Sequence, residues 1–132
     1  MNALRLRLRV DFEQGGSLGP GKIDLLESIA RKGSLSGAAR ELRMSYRRAW
    51  LLLHSVNEAF DKPAVELSVG GRQGGGAELT PFGTELIYAY RNLESEAQAH
   101  ARERFARIAQ RRVVVKSAAR QLKKVTPRPK LR

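Results

Sequence analysis

Leu4, Leu6, Leu8 and Val10 alternate with Arg5, Arg7, Arg9 and Asp11, so one side of the opening segment is apolar and the other charged. A period of two predicts a half-buried strand with the arginines on its solvated face. Residues 14–21, rich in glycine and closed by Pro20, read as a turn. The period then lengthens. Ile23, Leu26, Ile29 and Ala30 share one side of a helix over residues 22–32, with Gly33 placed to stop it. Leu35 turns inward, and Ser36 is suited to cap a second helix that reaches Leu42. Ala38 and Ala39 are small enough for two helices to cross closely there. Arg43-Met44-Ser45 makes a turn, and Ser45 caps a third helix that runs to about Phe60, ahead of Pro63.

Strand alternation returns at Val65, Leu67 and Val69, followed by a glycine-rich tip over residues 70–76 and a short return strand over 77–79. Thr80-Pro81 is a strong helix start, because Thr accepts from a free amide and Pro at the first position loses no needed donor. Behind it, Leu86, Tyr90, Leu93, Ala97, Ala101, Phe105 and Ile108 recur mostly at three- and four-residue steps. This stripe outruns the small domain before it, and an apolar stripe with nothing beneath it wants a partner. We therefore expect a dimerisation helix, with Leu86, Tyr90, Leu93, Ala97 and Phe105 against a second copy. Past residue 110 the pattern decays through three consecutive valines and the run Thr126-Pro127-Arg128-Pro129. A mobile basic tail is expected there.

Charge changes the picture mainly by its distribution. The net charge is +12, yet residues 1–101 hold 13 basic and 12 acidic residues, whereas residues 102–132 hold 12 basic residues and the single acid Glu103. The high pI therefore describes the tail, and inside the domain only local charge is informative. There is no cysteine, which excludes disulfides and cysteine-based metal sites. No apolar run approaches the roughly 20 residues of a membrane span, and the N-terminus lacks a signal-peptide pattern. A soluble, cytoplasmic protein without membrane contact is expected.

The third helix opens on Ser45-Tyr46-Arg47-Arg48 and carries Trp50, Leu51 and Leu53 behind them. Polar and basic groups at the N-terminus, with apolar groups to seat the helix, suit a DNA-reading helix. Trp50 is expected to pack in the core with Leu53 and Val56. With the glycine hairpin beside it, the segment describes a winged helix-turn-helix. The fold class is thus mostly α with a small β component: a DNA-binding domain over 1–80, a long C-terminal dimerisation helix over 81–110 and the tail over 111–132.

Double-stranded DNA is the expected partner. Arg47 and Arg48 would read guanine edges, Tyr46 a phosphate or thymine methyl, and Ser36, Arg43 and Ser45 the phosphate backbone. Gly71, Gly74 and Gly75 would let the wing approach the duplex, with Arg72 entering a narrow groove. An enzyme is not expected. His54 and His100 lie on different helices, His54 and Glu58 alone make no metal site, and no nucleophile motif occurs. No cofactor is implied, and no cluster points to a small-molecule effector. The alternatives are an architectural DNA-binding protein of low sequence specificity and a protein-interaction module.

Gly21-Lys22-Ile23, Gly33-Ser34-Leu35-Ser36-Gly37-Ala38-Ala39, Met44-Ser45-Tyr46-Arg47-Arg48-Ala49-Trp50, the glycines around Arg72, and Leu79-Thr80-Pro81-Phe82-Gly83 occur in order. Over roughly residues 4–110 the chain thereby resembles the N-terminal DNA-binding domain of the ModE-type molybdate-responsive transcriptional regulators. More distantly it resembles the LysR-type winged helix. The resemblance implies that fold, a homodimer and promoter binding at a two-fold-related site. It does not imply oxyanion sensing, since the larger members carry molybdate-binding domains beyond the region of resemblance. Gln73 departs from the pattern, standing where another wing glycine is expected.

Overall fold

The computed structural model describes residues 4–69 and 75–113. Residues 4–9 keep the alternation of half-buried leucines and exposed arginines, but they form no strand. Only β1 (Val10–Asp11) pairs, antiparallel to β2 (Ser17–Leu18), with Val10 opposite Leu18. The tight reversal between them uses positive φ at Gln14, Gly15 and Gly16.

The first helix, α1 (Pro20–Lys32), starts two residues ahead of the sequence expectation. Pro20, read from sequence as the end of the turn, sits in the first turn of the helix, where its fixed φ fits and its missing N–H is not needed. Ile23, Leu25, Leu26 and Ile29 are fully buried. Each such side chain contributes about 1.5–3 kcal/mol on leaving water, so α1 is the centre of the core. Gly33, at φ 74°, closes it and donates its N–H to the Ile29 carbonyl.

Two helices follow, α2 (Leu35–Glu41) and α3 (Tyr46–Glu58). The cap of α2 is Ser34, whose Oγ accepts from the Gly37 N–H at 3.0 Å, and not Ser36, which is exposed. Leu35 must lie in the first turn to reach the core, and that moves the cap to the residue before it. At its other end, Met44 N–H donates to the Ala39 carbonyl and Arg43 N–H to the Arg40 carbonyl. This is a Schellman closure, with Arg43 at φ 57° in the place that glycine usually takes. Ala38, Ala39 and Ala49 are buried where α2 and α3 meet.

The hairpin pairs β3 (Val65–Ser68) with β4 (Gly76–Leu79), Val65 opposite Leu79 and Ser68 opposite Gly76. Its apolar alternation is only partly used. Val65 and Ala77 are buried, but Leu67 is 48% and Val69 93% exposed, because the hairpin projects past the helices that cover its base. Ala77 N–H donates to the Gly33 carbonyl at 2.9 Å, which ties the hairpin to the end of α1.

Thr80 caps α4 (Pro81–Arg104) by accepting from the Gly83 N–H at 3.0 Å. The helix does not continue unbroken to Ile108: Phe105 leaves helical geometry at φ −101° and a short α5 (Ala106–Ala109) follows. Residues 4–8 lie along α4, and helix side chains satisfy their backbone in place of a neighbouring strand. Gln98 Oε1 accepts from Leu6 N–H, Gln98 Nε2 donates to the Leu4 carbonyl, and the Tyr90 hydroxyl donates to the Leu8 carbonyl. That explains how a period-two segment is half-buried without being a strand.

Candidate nucleic-acid interface

The start of α3 is built from its cap outward. Ser45 Oγ accepts from the Arg48 N–H at 3.0 Å, as its position in sequence implies. Fixed by that cap, Tyr46, Arg47 and Arg48 are exposed, with Arg43 exposed in the turn just before them. Ser36 and Tyr46 meet the hairpin at an open concavity of about 450 Å³, whose far wall includes Ser68, Val69 and Gly75. A side chain at Gly75 would place its Cβ 2.8 Å from the Ser68 carbonyl oxygen, so the hairpin needs bare backbone there. Of the other residues expected in the wing, Gly71, Arg72 and Gly74 lie outside the described residues, as does the expected tail beyond residue 113.

Three arginines of the domain are held by carboxylates. Arg9 pairs with Asp11, Arg31 with Glu41, and Arg91 with Asp24, Glu27 and Glu94. Arg43, Arg47 and Arg48 make no ion pair among the described residues. Lys32 and Arg40 are likewise unpaired among the described residues, so what sets Arg43, Arg47 and Arg48 apart is that all three are exposed around one capped helix start.

The rest of α3 corrects one expectation. Trp50 is not in the core: it is 41% exposed and stacks on His54, with ring centroids 4.7 Å apart and planes 9° apart. Leu51 is 48% exposed. Ala49, Leu53 and Val56 face inward, and Trp50 falls to the edge of that arc. His54 Nε2 lies 3.5 Å from a Glu58 carboxylate oxygen, and no cluster of three metal-ligating side chains occurs among the described residues.

Several residues that hold this surface in place escaped the sequence reading. Lys22 donates from α1 to the Ser17 carbonyl and to Ser55 Oγ of α3, at 3.0 and 2.9 Å. Burial, and secondarily the nearby Arg9 charge, pushes its pKa down from the ordinary lysine value. Asn57 at the end of α3 accepts from Ala64 N–H and donates to the Val65 carbonyl, fixing the entry to the hairpin. Arg91 clamps α4 to α1, and its hydrogen bond holds the Glu27 carboxyl below its usual pKa. Glu41 accepts from Arg31 and from Ser28, and these bonds, Arg31 first, bring its pKa down to about 2. Asp24 and Glu27 at i, i+3, and Glu94 three residues after Arg91, were the visible trace of the clamp, but nothing in the sequence places Asp24 and Glu27 opposite residue 91.

The expected dimer stripe is divided by the fold. Leu86 and Tyr90 are buried within the chain's own core and are not available to a partner, which corrects the sequence expectation. Leu93 and Phe105 are 46% and 49% exposed, and with Ala97 and Ala101 they line a shallow apolar groove. Among the described residues no helix is long and apolar enough to cross a membrane.

No family model matches the chain. Curated relatives do. The molybdenum transport protein ModE of Azotobacter vinelandii is 40% identical over 93 residues, covering 70% of this chain and 34% of that protein. The molybdenum-pterin-binding protein MopA of Rhodobacter capsulatus is 41% identical over 96 residues, 71% of this chain and 36% of the relative. The DNA-binding transcriptional dual regulator ModE of Escherichia coli is 41% identical over 71 residues, 54% of this chain and 27% of the relative. The chain is thus similar over most of its own length to ModE-type proteins, and it spans about a third of the length of the curated relatives it matches.

Proposed function

We propose that this chain is a ModE-like, winged helix-turn-helix transcriptional regulator that binds double-stranded DNA as a homodimer. The observation that carries the reading is the start of α3: three exposed arginines around a capped helix terminus, free of ion pairs among the described residues. The similarity to a DNA-binding transcriptional regulator supports it. In this reading α3 enters the major groove by its N-terminal turn, Arg47 and Arg48 meet base edges, and Ser36, Arg43, Ser45 and Tyr46 hold the backbone. The hairpin, with Gly71, Arg72, Gly74 and Gly75, follows the adjacent strand. The second copy docks along Leu93, Ala97, Ala101 and Phe105, and a two-fold dimer places its reading helices about 34–36 Å apart or a multiple of that. The protein acts by occupying promoters in the cytoplasm and not by catalysis.

The test is selection of genomic fragments on the purified chain with excess random DNA at near-physiological salt. A few recovered fragments sharing a two-fold sequence are expected. Arg47→Ala and Arg48→Ala should each lose about 1–3 kcal/mol of discrimination at their base positions while still binding random DNA. Even recovery across the genome would refute site-specific regulation in favour of an architectural role.

A further inference from the structure

An exposed leucine is ordinary on a protein surface. Leu51 is informative because of where it stands. At about 100° per residue it lies about 40° around α3 from Arg47 and about 6 Å further along the axis. Helical side chains lean toward the N-terminus, so its methyl groups cover the turn that carries Arg47 and Arg48. Over these first two turns every exposed side chain is cationic, aromatic or Leu51 itself, and no acid occurs before Glu58. Trp50, held flat against His54, flanks it on one side. A helix face of this composition, beside arginines without ion pairs, complements the major groove: anionic at its rims and, where thymine occurs, apolar at its floor.

We propose that Leu51 is a specificity-determining residue that recognises the 5-methyl group of a thymine, one or two base pairs from the base edge read by Arg47. The spacing follows from the 6 Å axial offset set against a base-pair rise of about 3.4 Å. The inference rests on the DNA-reading assignment of α3 and adds an apolar contact to its polar ones.

The experiment uses the full chain and the fragments it selects. Each thymine of the selected site is replaced in turn by deoxyuridine, which keeps the hydrogen-bonding edge and lacks the methyl group. Kd is measured for the natural chain and for Leu51→Ala, with the helical circular-dichroism signal checked for both. One thymine per half-site should lose about four-fold in affinity for the natural chain, the effect of one buried methyl. Leu51→Ala should be insensitive at that same position. Absence of any deoxyuridine effect with the natural chain overturns the inference even if the variant is unstable. So does an equal effect in both proteins, which would assign the methyl contact to another residue. If no fragment is selected over random DNA, the failure lies in the parent reading, and the inference falls with it.

Discussion

Gly83 sits in the first turn of α4, where an added side chain would meet the closest obstacle of any glycine among the described residues. An added Cβ would lie 2.2 Å from the Ala64 carbonyl oxygen and 3.0 Å from Leu79 Cδ2. Carbon–oxygen contacts in proteins settle near 3.3–3.6 Å, so Gly83→Ala requires a shift of about 1 Å. The obstacle is backbone, and it is pinned. The Ala64 carbonyl accepts from Thr80 N–H at 3.0 Å, Ala64 N–H donates to Asn57 Oδ1 at 2.8 Å, and Thr80 Oγ1 donates to the Pro63 carbonyl at 2.8 Å. Overpacking of this kind costs about 1–3 kcal/mol, and weakening one of the pinning hydrogen bonds adds about 1 kcal/mol. Replacing glycine by alanine in a helix returns at most about 1 kcal/mol. The net loss is about 2 kcal/mol, which in a domain of this size lowers Tm by about 8–16 °C. Thermal and urea unfolding followed by circular dichroism measure it. Gly21→Ala is the control, since a Cβ there meets nothing within 4 Å and its backbone φ is ordinary; no loss is expected. Equal stability of the two variants would refute the close approach of α4 to the hairpin entry.

Arg91→Met keeps the stem of the side chain but leaves Asp24, Glu27 and Glu94 facing one another, and urea unfolding should show a loss of about 1–3 kcal/mol. The Glu41 pKa is lowered in the folded state, so its contribution is present above the unfolded carboxylate value, near 4.5, and disappears as pH falls toward 2. Denaturant midpoints should decline over that window, and Glu41→Gln should decline less steeply. Arg43→Gly relieves a left-handed residue and should raise stability by about 0.5–1 kcal/mol, while DNA affinity measured by anisotropy falls evenly over all sequences.

How much of this was legible in the sequence depended on whether the forces involved were local. Caps and stops were readable because each uses neighbours: Gly33 closing α1, Ser45 at α3 and Thr80 with Pro81 at α4 all appear where their chemistry puts them. Ser34 replaced Ser36 because burial of Leu35 decided between the two serines that flank it. The N-terminal alternation reported burial correctly, but period two does not say what supplies the hydrogen bonds, and Gln98 and Tyr90 are some ninety residues away. Trp50 was misplaced by size, since a large apolar residue on a helix is a good core candidate only if its angle matches Ala49, Leu53 and Val56. The apolar stripe of α4 was real, yet no sequence rule says where the core ends along it. That boundary falls between Tyr90 and Leu93.

The candidate surface depends on one backbone junction more than on any side chain within it. The left-handed φ of Gly33 ends α1 and aims the chain into Ser34 and α2, and the carbonyl of the same residue accepts from Ala77 N–H. The helix pair and the hairpin are therefore positioned by two bonds of one glycine, which fixes the concavity between Tyr46 and Gly75. Asn57 and Lys22 close the frame from behind by tying α3 to the hairpin entry and to α1. The arginines at the helix start need no partner within the chain because this framework, built from backbone groups, uncharged side chains and one half-buried lysine, already holds α3. A site organised in this way leaves its charge and its apolar face, Leu51 and Trp50, for whatever it binds.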